Sequence, residues 1–246
     1  VTGAPEERRA LLVTGASGGI GGALARMASA DGWRVLAGYR ASREAAEALA
    51  ASLPHAAAVR LPLDDPGGIE EAVRALAGEP VAALALCGAP PPPVKSFAKT
   101  GADDLRAQFE AAVVGTHALL RAAWLTWLRR RGGGTAVAVL TEALGPPAAP
   151  HMAAYVSAKA GLSGLLEAAA AELGRGGLSV GAVHPGYTET AMLGAFDPLV
   201  LDRARAQRPD GRFAGPETAA AALLAILRDP PPPGRVRHVR AEEVPQ

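Results

Sequence analysis

At 246 residues, 49% hydrophobic and 20% charged, the chain has apolar material for a sizeable core and too little charge for disorder. A formal net charge of +1 gives no basic face of the kind nucleic-acid binding needs, and a single cysteine, Cys87, excludes an internal disulfide or a thiolate metal cluster. No apolar run reaches the ~18 residues of a membrane span and no signal-peptide pattern opens the chain, so a soluble, cytoplasmic protein is expected, with neither a membrane nor a nucleic-acid partner.

In chain order, residues 1–9 are polar and expected to fray. Ala10-Leu11-Leu12-Val13-Thr14 is an apolar run suited to a strand buried on both faces. It ends in Gly15-Ala16-Ser17-Gly18-Gly19-Ile20-Gly21-Gly22, after which a helical pattern covers residues 23–30. Strand, glycine turn and helix start are the parts of a phosphate cradle. Glycines admit close backbone approach, and a helix N-terminus offers free N–H groups with partial positive charge. A second strand is expected over residues 34–38, followed by a helix to residue 53. The end of that strand is where the adenosine ribose of a dinucleotide is read: an acidic residue suits NAD, and an arginine suits the 2′-phosphate of NADP. No Asp or Glu lies between Trp33 and Arg43, and Arg40 stands at the strand exit, which favours NADP(H). The plainer reading of Arg40 is an exposed arginine opening a helix.

A third strand near residues 57–61 leads through Asp64-Asp65-Pro66 into a helix over about 68–77. The fourth strand, residues 81–86, runs into Cys87-Gly88-Ala89 and the prolines at 90–93. These prolines either border a ligand site or, the preferred reading, stop the strand and space the next element. Residues 103–131 hold one long helix or two joined ones, closed by Arg129-Arg130-Arg131 and Gly132. That basic end suits a helix C-terminus with a glycine cap; docking of an acidic partner is the alternative. A fifth strand over residues 135–140 runs into Thr141, Glu142 and a loop rich in proline and alanine. A sixth, over 178–183, runs into His184-Pro185-Gly186-Tyr187-Thr188-Glu189-Thr190. Residues 191–214 show no clean period and read as a substrate lid, residues 216–227 as a last helix, and the tail 229–246 as at most one short edge strand.

Strands alternating with helices imply one α/β domain over residues 1–246, a parallel sheet covered on both faces, with ligands at the carboxyl ends of the strands. The chain's remaining chemistry lies in a helix expected over residues 153–173. Tyr155 and Lys159 are four residues apart there and share a face. An ammonium beside a phenol favours the phenolate and lowers its pKa, which makes a proton donor usable near neutral pH. An aromatic core residue with a solvated neighbour is the plain alternative. The histidines His55, His117, His151, His184 and His238 are scattered without ligand spacing, so no metal is expected.

The glycine turn, the Tyr155-x-x-x-Lys159 pair and Pro185-Gly186-x-x-x-Thr190, in this order and spacing, resemble the short-chain dehydrogenase/reductase family over about residues 10–227. The resemblance implies a Rossmann-type doubly wound parallel sheet of six to seven strands in a three-layer αβα sandwich. It implies a pyrophosphate cradle of Gly15, Gly19, Ile20 and Gly21, supported by Thr14 and Ser17, with Arg40 at the 2′-phosphate. Tyr155 would be the proton donor, Lys159 would hold the nicotinamide ribose and depress the Tyr155 pKa, and Thr190 would bind the carboxamide beside Pro185 and Gly186. The segments around residues 13–14 and 35–42 look most like the ketoacyl-carrier-protein reductase and polyketide ketoreductase branch. That implies a ketone substrate, free or carried on a carrier protein, and a homodimer or homotetramer.

Several positions depart from the family pattern. Its substrate-binding serine is replaced by Glu142, with Thr141 beside it, and its helix asparagine by Ala112. The usual Asn-Asn-Ala-Gly stands as Leu86-Cys87-Gly88-Ala89, and the adenine-side aspartate is replaced by Pro62 or, with a shift, Asp64. Glu142 either stands in for the serine as a protonated acid between apolar walls, or pairs with Lys159 or faces water; Thr141 supplies the hydroxyl if the strand end turns it inward. An NADPH-dependent ketone reductase is the first reading. A nucleotide-binding regulator, or the silent partner subunit of an active relative, is the second.

Overall fold

The computed structural model describes residues 9–243, so the fraying expected of residues 1–8 and the last three residues of the tail lie outside the described residues. The strands are β1 (Ala10–Thr14), β2 (Arg34–Tyr39), β3 (Ala56–Arg60), β4 (Val81–Leu86), β5 (Gly134–Val139), β6 (Leu178–His184) and β7 (Val236–Arg240). They form one seven-stranded sheet in the order β3-β2-β1-β4-β5-β6-β7, and every pairing is parallel. A parallel sheet is stable only when both faces are covered, and the sequence meets that demand with strands apolar on both sides. In β1, Leu11 and Val13 face one layer of helices, while Ala10 and Leu12 face the other.

The first layer holds α1 (Gly19–Ala30), α2 (Arg43–Ala51) and, from the far end of the chain, α8 (Pro216–Arg228). Leu24, Leu49 and Leu223 carry its contacts with the sheet. The second layer holds α3 (Pro66–Ala75), the helical run 102–131 that includes α4 (Ala102–Phe109) and α5 (Gly115–Ala123), and α6 (Ala153–Leu173), packed through Ile69, Leu119 and Leu166. Each such fully buried leucine is worth about 1.5–3 kcal/mol of burial. The result is the three-layer αβα sandwich expected from the sequence.

Strand order reverses between β1 and β4, and the crossovers leaving those strands diverge to opposite faces. The crevice this opens lies at the carboxyl ends of the strands, where such folds bind ligands.

Some elements differ from expectation. α1 starts at Gly19, four residues before the apolar pattern does, because its first turn is built of glycines that carry no periodic signal. The run 102–131 is continuous but slips into π-helix at Glu110–Val114 and again at Trp124–Leu128. The Arg129–Arg131 turn ends at Gly132 in the left-handed region, φ 76°, so the C-terminal cap reading of the basic stretch is the one observed. Within 191–214, expected to lack regular structure, Ala191–Ala195 is a 3-10 turn and Pro198–Ala206 is α7, capped by the Asp197 carboxylate. α7 escaped the sequence because it buries only Leu201 and leaves Leu199 and Val200 exposed, so it has no amphipathic stripe.

Candidate active site

The glycine turn is shaped by contacts that no side chain would permit. Gly15 has φ 63°, and a Cβ there would sit 2.8 Å from Gly88 Cα; a Cβ on Gly19 would fall 2.4 Å from Thr190 Cγ2. The turn is fastened from below by Thr14, whose Oγ1 accepts hydrogen bonds from Cys87 N and Gly88 N at 2.9 Å each. Thr14 thus ties the exits of β1 and β4 together behind the cleft. Gly15, Ser17, Gly19, Ile20 and Gly21 line one end of a cleft of about 540 Å³ that runs along the strand exits. With the N-terminus of α1 opening onto it, this end fits the pyrophosphate of a dinucleotide.

Arg40 lines the same end, its Nη1 3.0 Å from Asp64 Oδ2, with both side chains about half exposed. An ion pair that open is worth little, so Arg40 is free to exchange Asp64 for a phosphate at small cost. Asp64 and Pro62, the two candidates for the adenine side, do not line the cleft; Leu61 and Leu63 do.

Thr141, Glu142, Tyr155 and Lys159 also line the cleft, as do Pro185 and Gly186 beside Glu142 and Thr190 against Gly19. Tyr155 and Lys159 share one face of α6 as their spacing predicts, and both are buried. The expected effect of the ammonium on the phenol is not what is found. Lys159 Nζ donates to Val139 O at 2.6 Å and lies 5.8 Å from the centre of the Tyr155 ring. Burial raises the Tyr155 pKa above its usual 10, and a hydrogen bond from the Thr141 side chain is what opposes it. Lys159 itself is pushed down to about 8 by burial. The β5 carbonyl captures the ammonium, and Thr141 takes its place beside the phenol.

Thr141 is buried, and its Oγ1 also accepts from Ala143 N at 3.1 Å, which starts the 3-10 turn Glu142–Leu144. Its extended backbone turns the side chain inward, the condition under which the sequence allowed it to supply a hydroxyl. Glu142 points the other way. It is exposed, and its Oε2 lies only 2.8 Å from where a Cβ on Gly186 would be. Neither pairing with Lys159 nor enclosure between apolar walls is found; Glu142 faces the open side of the cleft.

Several further groups line the cleft. Pro90, Pro91 and Pro92 form part of the wall, with Pro91 O accepting from Gln108 Nε2 at 2.9 Å, so the preferred reading of the prolines as mere spacers falls short. Cys87 lines the floor; burial pushes its thiol up to about 12 against the pull of Lys159, leaving it protonated and a poor nucleophile. Ala112 is buried inside the first π-helical turn, while Ala111 lines the cleft. Met192, Phe196 and Arg208, from the segment expected to be a lid, also reach it.

Behind Thr141, His184 Nδ1 lies 3.2 Å from Thr141 O, His184 Nε2 lies 2.9 Å from His238 Nδ1, and His238 Nε2 lies 3.0 Å from Glu167 Oε1. His238 pairs in register with Ala182, so it and His184 project from the same face of the sheet toward α6. No spacing along the chain signals this, because it arises from the pairing of β6 with β7. Among the described residues no group of three or more His, Cys, Asp or Glu side chains could hold a metal ion, and no helix is long and apolar enough to cross a membrane.

Comparison with known proteins agrees with this geometry. A family model described as enoyl-(acyl carrier protein) reductase matches residues 15–231. The 3-oxoacyl-(acyl-carrier-protein) reductase FabG of Staphylococcus aureus is 29% identical over 228 residues, covering 89% of this chain and 90% of its own. The cis-4-hydroxycyclohexanecarboxylate dehydrogenase of Sinomonas cyclohexanicum is 29% identical over 233 residues, 90% of each chain. Among solved structures, a short chain dehydrogenase from Burkholderia cenocepacia in complex with NADP superimposes with a TM-score of 0.82 at 26% identity, covering 95% of this chain and 96% of that one.

Proposed function

Because the chain belongs to the short-chain dehydrogenase/reductase family, we propose that it is an oxidoreductase that uses NADPH to reduce a ketone, of the ketoacyl or polyketide type. The observation that carries this reading is the buried Tyr155–Thr141–Lys159 cluster in a cleft that the glycine turn and Arg40 also line. In it, NADP(H) is held by Gly15, Ser17, Gly19, Ile20 and Gly21 at the pyrophosphate, by Arg40 at the 2′-phosphate, and by Lys159, Pro185, Gly186 and Thr190 at the nicotinamide end. Bound there, NADPH supplies the hydride.

The chain's own residues handle the proton. Burial keeps Tyr155 a phenol at neutral pH, so its Oη holds the proton that the carbonyl oxygen must receive. Thr141 is the neighbour that stabilises the phenolate left behind, and its hydroxyl is the one suited to take the place of the family serine in orienting the carbonyl. Glu142, standing exposed over Gly186 with Arg208 nearby, belongs to the cleft mouth and faces the distal part of the substrate. Residues 191–214, through Met192 and Phe196, act as the apolar lid that keeps water out. A substrate on a carrier protein accords with the S. aureus relative, and the exposed Leu105, Val114 and Leu125 accord with association of two copies.

The test is NADPH binding, followed by its oxidation with a panel of ketones and ketoacyl thioesters, in wild type and Tyr155→Phe. Turnover lost in Tyr155→Phe with binding retained supports the reading. Tight binding with no turnover above that of the variant would sink it in favour of a nucleotide-binding regulator, the second reading that Glu142 and Ala112 favour.

A further inference from the structure

We propose that His184, His238 and Glu167 form a strut that holds the Thr141 backbone in place, that the strut is complete only while its two imidazoles share one extra proton, and that losing this proton loosens Thr141 beside Tyr155. The catalytic consequence rests on the role given above to Thr141 and Tyr155; the proton count does not.

The count follows from which atoms meet. The line of contacts begins at Thr141 O and ends at Glu167 Oε1, and both of these can only accept a hydrogen bond from a ring nitrogen. His184 Nδ1 and His238 Nε2 must therefore both carry hydrogen. Between the rings, His184 Nε2 and His238 Nδ1 at 2.9 Å need one donor and one acceptor. All three contacts together take three ring protons, whereas two neutral imidazoles have two. The complete strut is thus singly positive, facing the Glu167 carboxylate. Remove the proton and one contact becomes acceptor against acceptor.

The surroundings decide which ring carries it. Burial is the main effect that disfavours charge on His184, the carbonyl of Thr141 partly compensates, and His238 and Arg240 of β7 and Lys159 of α6 add smaller penalties. His238 instead has Glu167 of α6 beside it, so the imidazolium belongs there and His184 is the neutral link, donating from Nδ1 and accepting at Nε2. When the strut deprotonates, His184 keeps its one hydrogen on Nδ1 toward Thr141 O and the two rings meet acceptor against acceptor, so His184 and the Thr141 carbonyl together lose their tie to Glu167.

Glu167→Gln separates this arrangement from a merely structural one. Glu167 is half exposed, so the substitution does not threaten the fold. The glutamine amide can donate to His238 Nε2, after which each ring donates onward from Nδ1, and the same three contacts close with two neutral rings. The strut then no longer needs its proton.

The experiment follows the histidine ring nitrogens and the Thr141 carbonyl carbon by nuclear magnetic resonance from about pH 5 to about pH 9, the range in which imidazole charge changes, without added substrate. In wild type, one doubly protonated ring should be seen on the acid side, and the Thr141 carbonyl signal should move with its titration. In Glu167→Gln both rings should be neutral near pH 7 and the Thr141 signal should stay flat. With a ketone substrate, kcat/KM of wild type should drop about three- to tenfold across the same titration, the rate equivalent of one neutral hydrogen bond. Glu167→Gln should lose that drop, and His184→Phe should show the lower value at every pH. Two neutral rings throughout in wild type, or a Thr141 signal indifferent to the titration, overturns the strut. If the resonance results hold but no ketone is turned over, the strut stands and the reductase reading is what fails.

Discussion

Lys159→Met tests whether the protein carries its buried ammonium at the expense of its own stability. The group is 4% exposed, and the drop of its pKa from 10.5 to about 8 is dominated by burial. At pH 7, where it is charged in both folded and unfolded chains, that drop is equivalent to ~3 kcal/mol against the folded state. Methionine has similar length and no charge. It forfeits the hydrogen bond to Val139 O, a loss of about 1–2 kcal/mol. The variant should therefore be more stable than wild type by about 1–2 kcal/mol at pH 7, with a Tm higher by on the order of 5 °C. The sign of the pH dependence is fixed by proton counting. Between pH 8 and 10.5 the unfolded chain still binds the Lys159 proton while the folded chain has released it, so wild-type stability rises with pH relative to the variant and the gap closes. Equilibrium urea unfolding of both proteins without added nucleotide, at pH 7 and at pH 10, measures it. A variant less stable than wild type at pH 7, or a gap unchanged by pH, would refute the reasoning. The same variant should bind NADPH less well and reduce no ketone, so stability and activity should move in opposite directions.

Thr141→Val removes the hydroxyl at nearly constant volume; kcat should fall on the order of 10- to 100-fold with nucleotide affinity unchanged. In the direction of alcohol oxidation, its pH–rate profile should shift to higher pH, because the hydrogen bond that holds the Tyr155 pKa down is gone. Thr141→Ser should restore both. Gly15→Ala places a methyl group 2.8 Å from Gly88 Cα at φ 63° and should cost about 2 kcal/mol or more, visible as a lower Tm by scanning fluorimetry. Arg40→Ala should weaken NADPH binding by about tenfold in a fluorescence titration and leave NADH affinity unchanged. Equal losses for both nucleotides would remove Arg40 from the 2′-phosphate.

The fold was legible because the inner strands are mostly apolar runs that alternate with alanine-rich helices; the edge strand β7, Val236–Arg240, carries two arginines and a histidine and gives no such signal. The cofactor end was legible because its shape is local, a strand, a glycine turn and a helix start within about a dozen consecutive residues. The catalytic end was legible only in part. Helical geometry brought Tyr155 and Lys159 to one face, but which acceptor wins the ammonium depends on Val139, a neighbour twenty residues away that helical spacing cannot rank. Thr141 and Glu142 exchanged their apparent importance for a similar reason. Two adjacent residues leaving a strand point opposite ways, and only the packed loop tells which of them faces in. The His184–His238 contact was beyond reach altogether, since strand register at the edge of a sheet is not written in the spacing of the residues it joins.

The fastening of Thr14 to residues 87 and 88 has a consequence for how this cleft can change over time. Its acceptor is a side chain on one strand, and its donors are backbone N–H groups on the other. Tolerance to replacement is therefore lopsided. Position 14 must keep a hydroxyl, while position 87 can take many side chains and still be held, which is how a cysteine comes to stand in a segment that departs from the family's usual Asn-Asn-Ala-Gly with the floor of the cleft intact. Variation can accumulate on the β4 side of the cleft without unfastening the glycine turn on the β1 side.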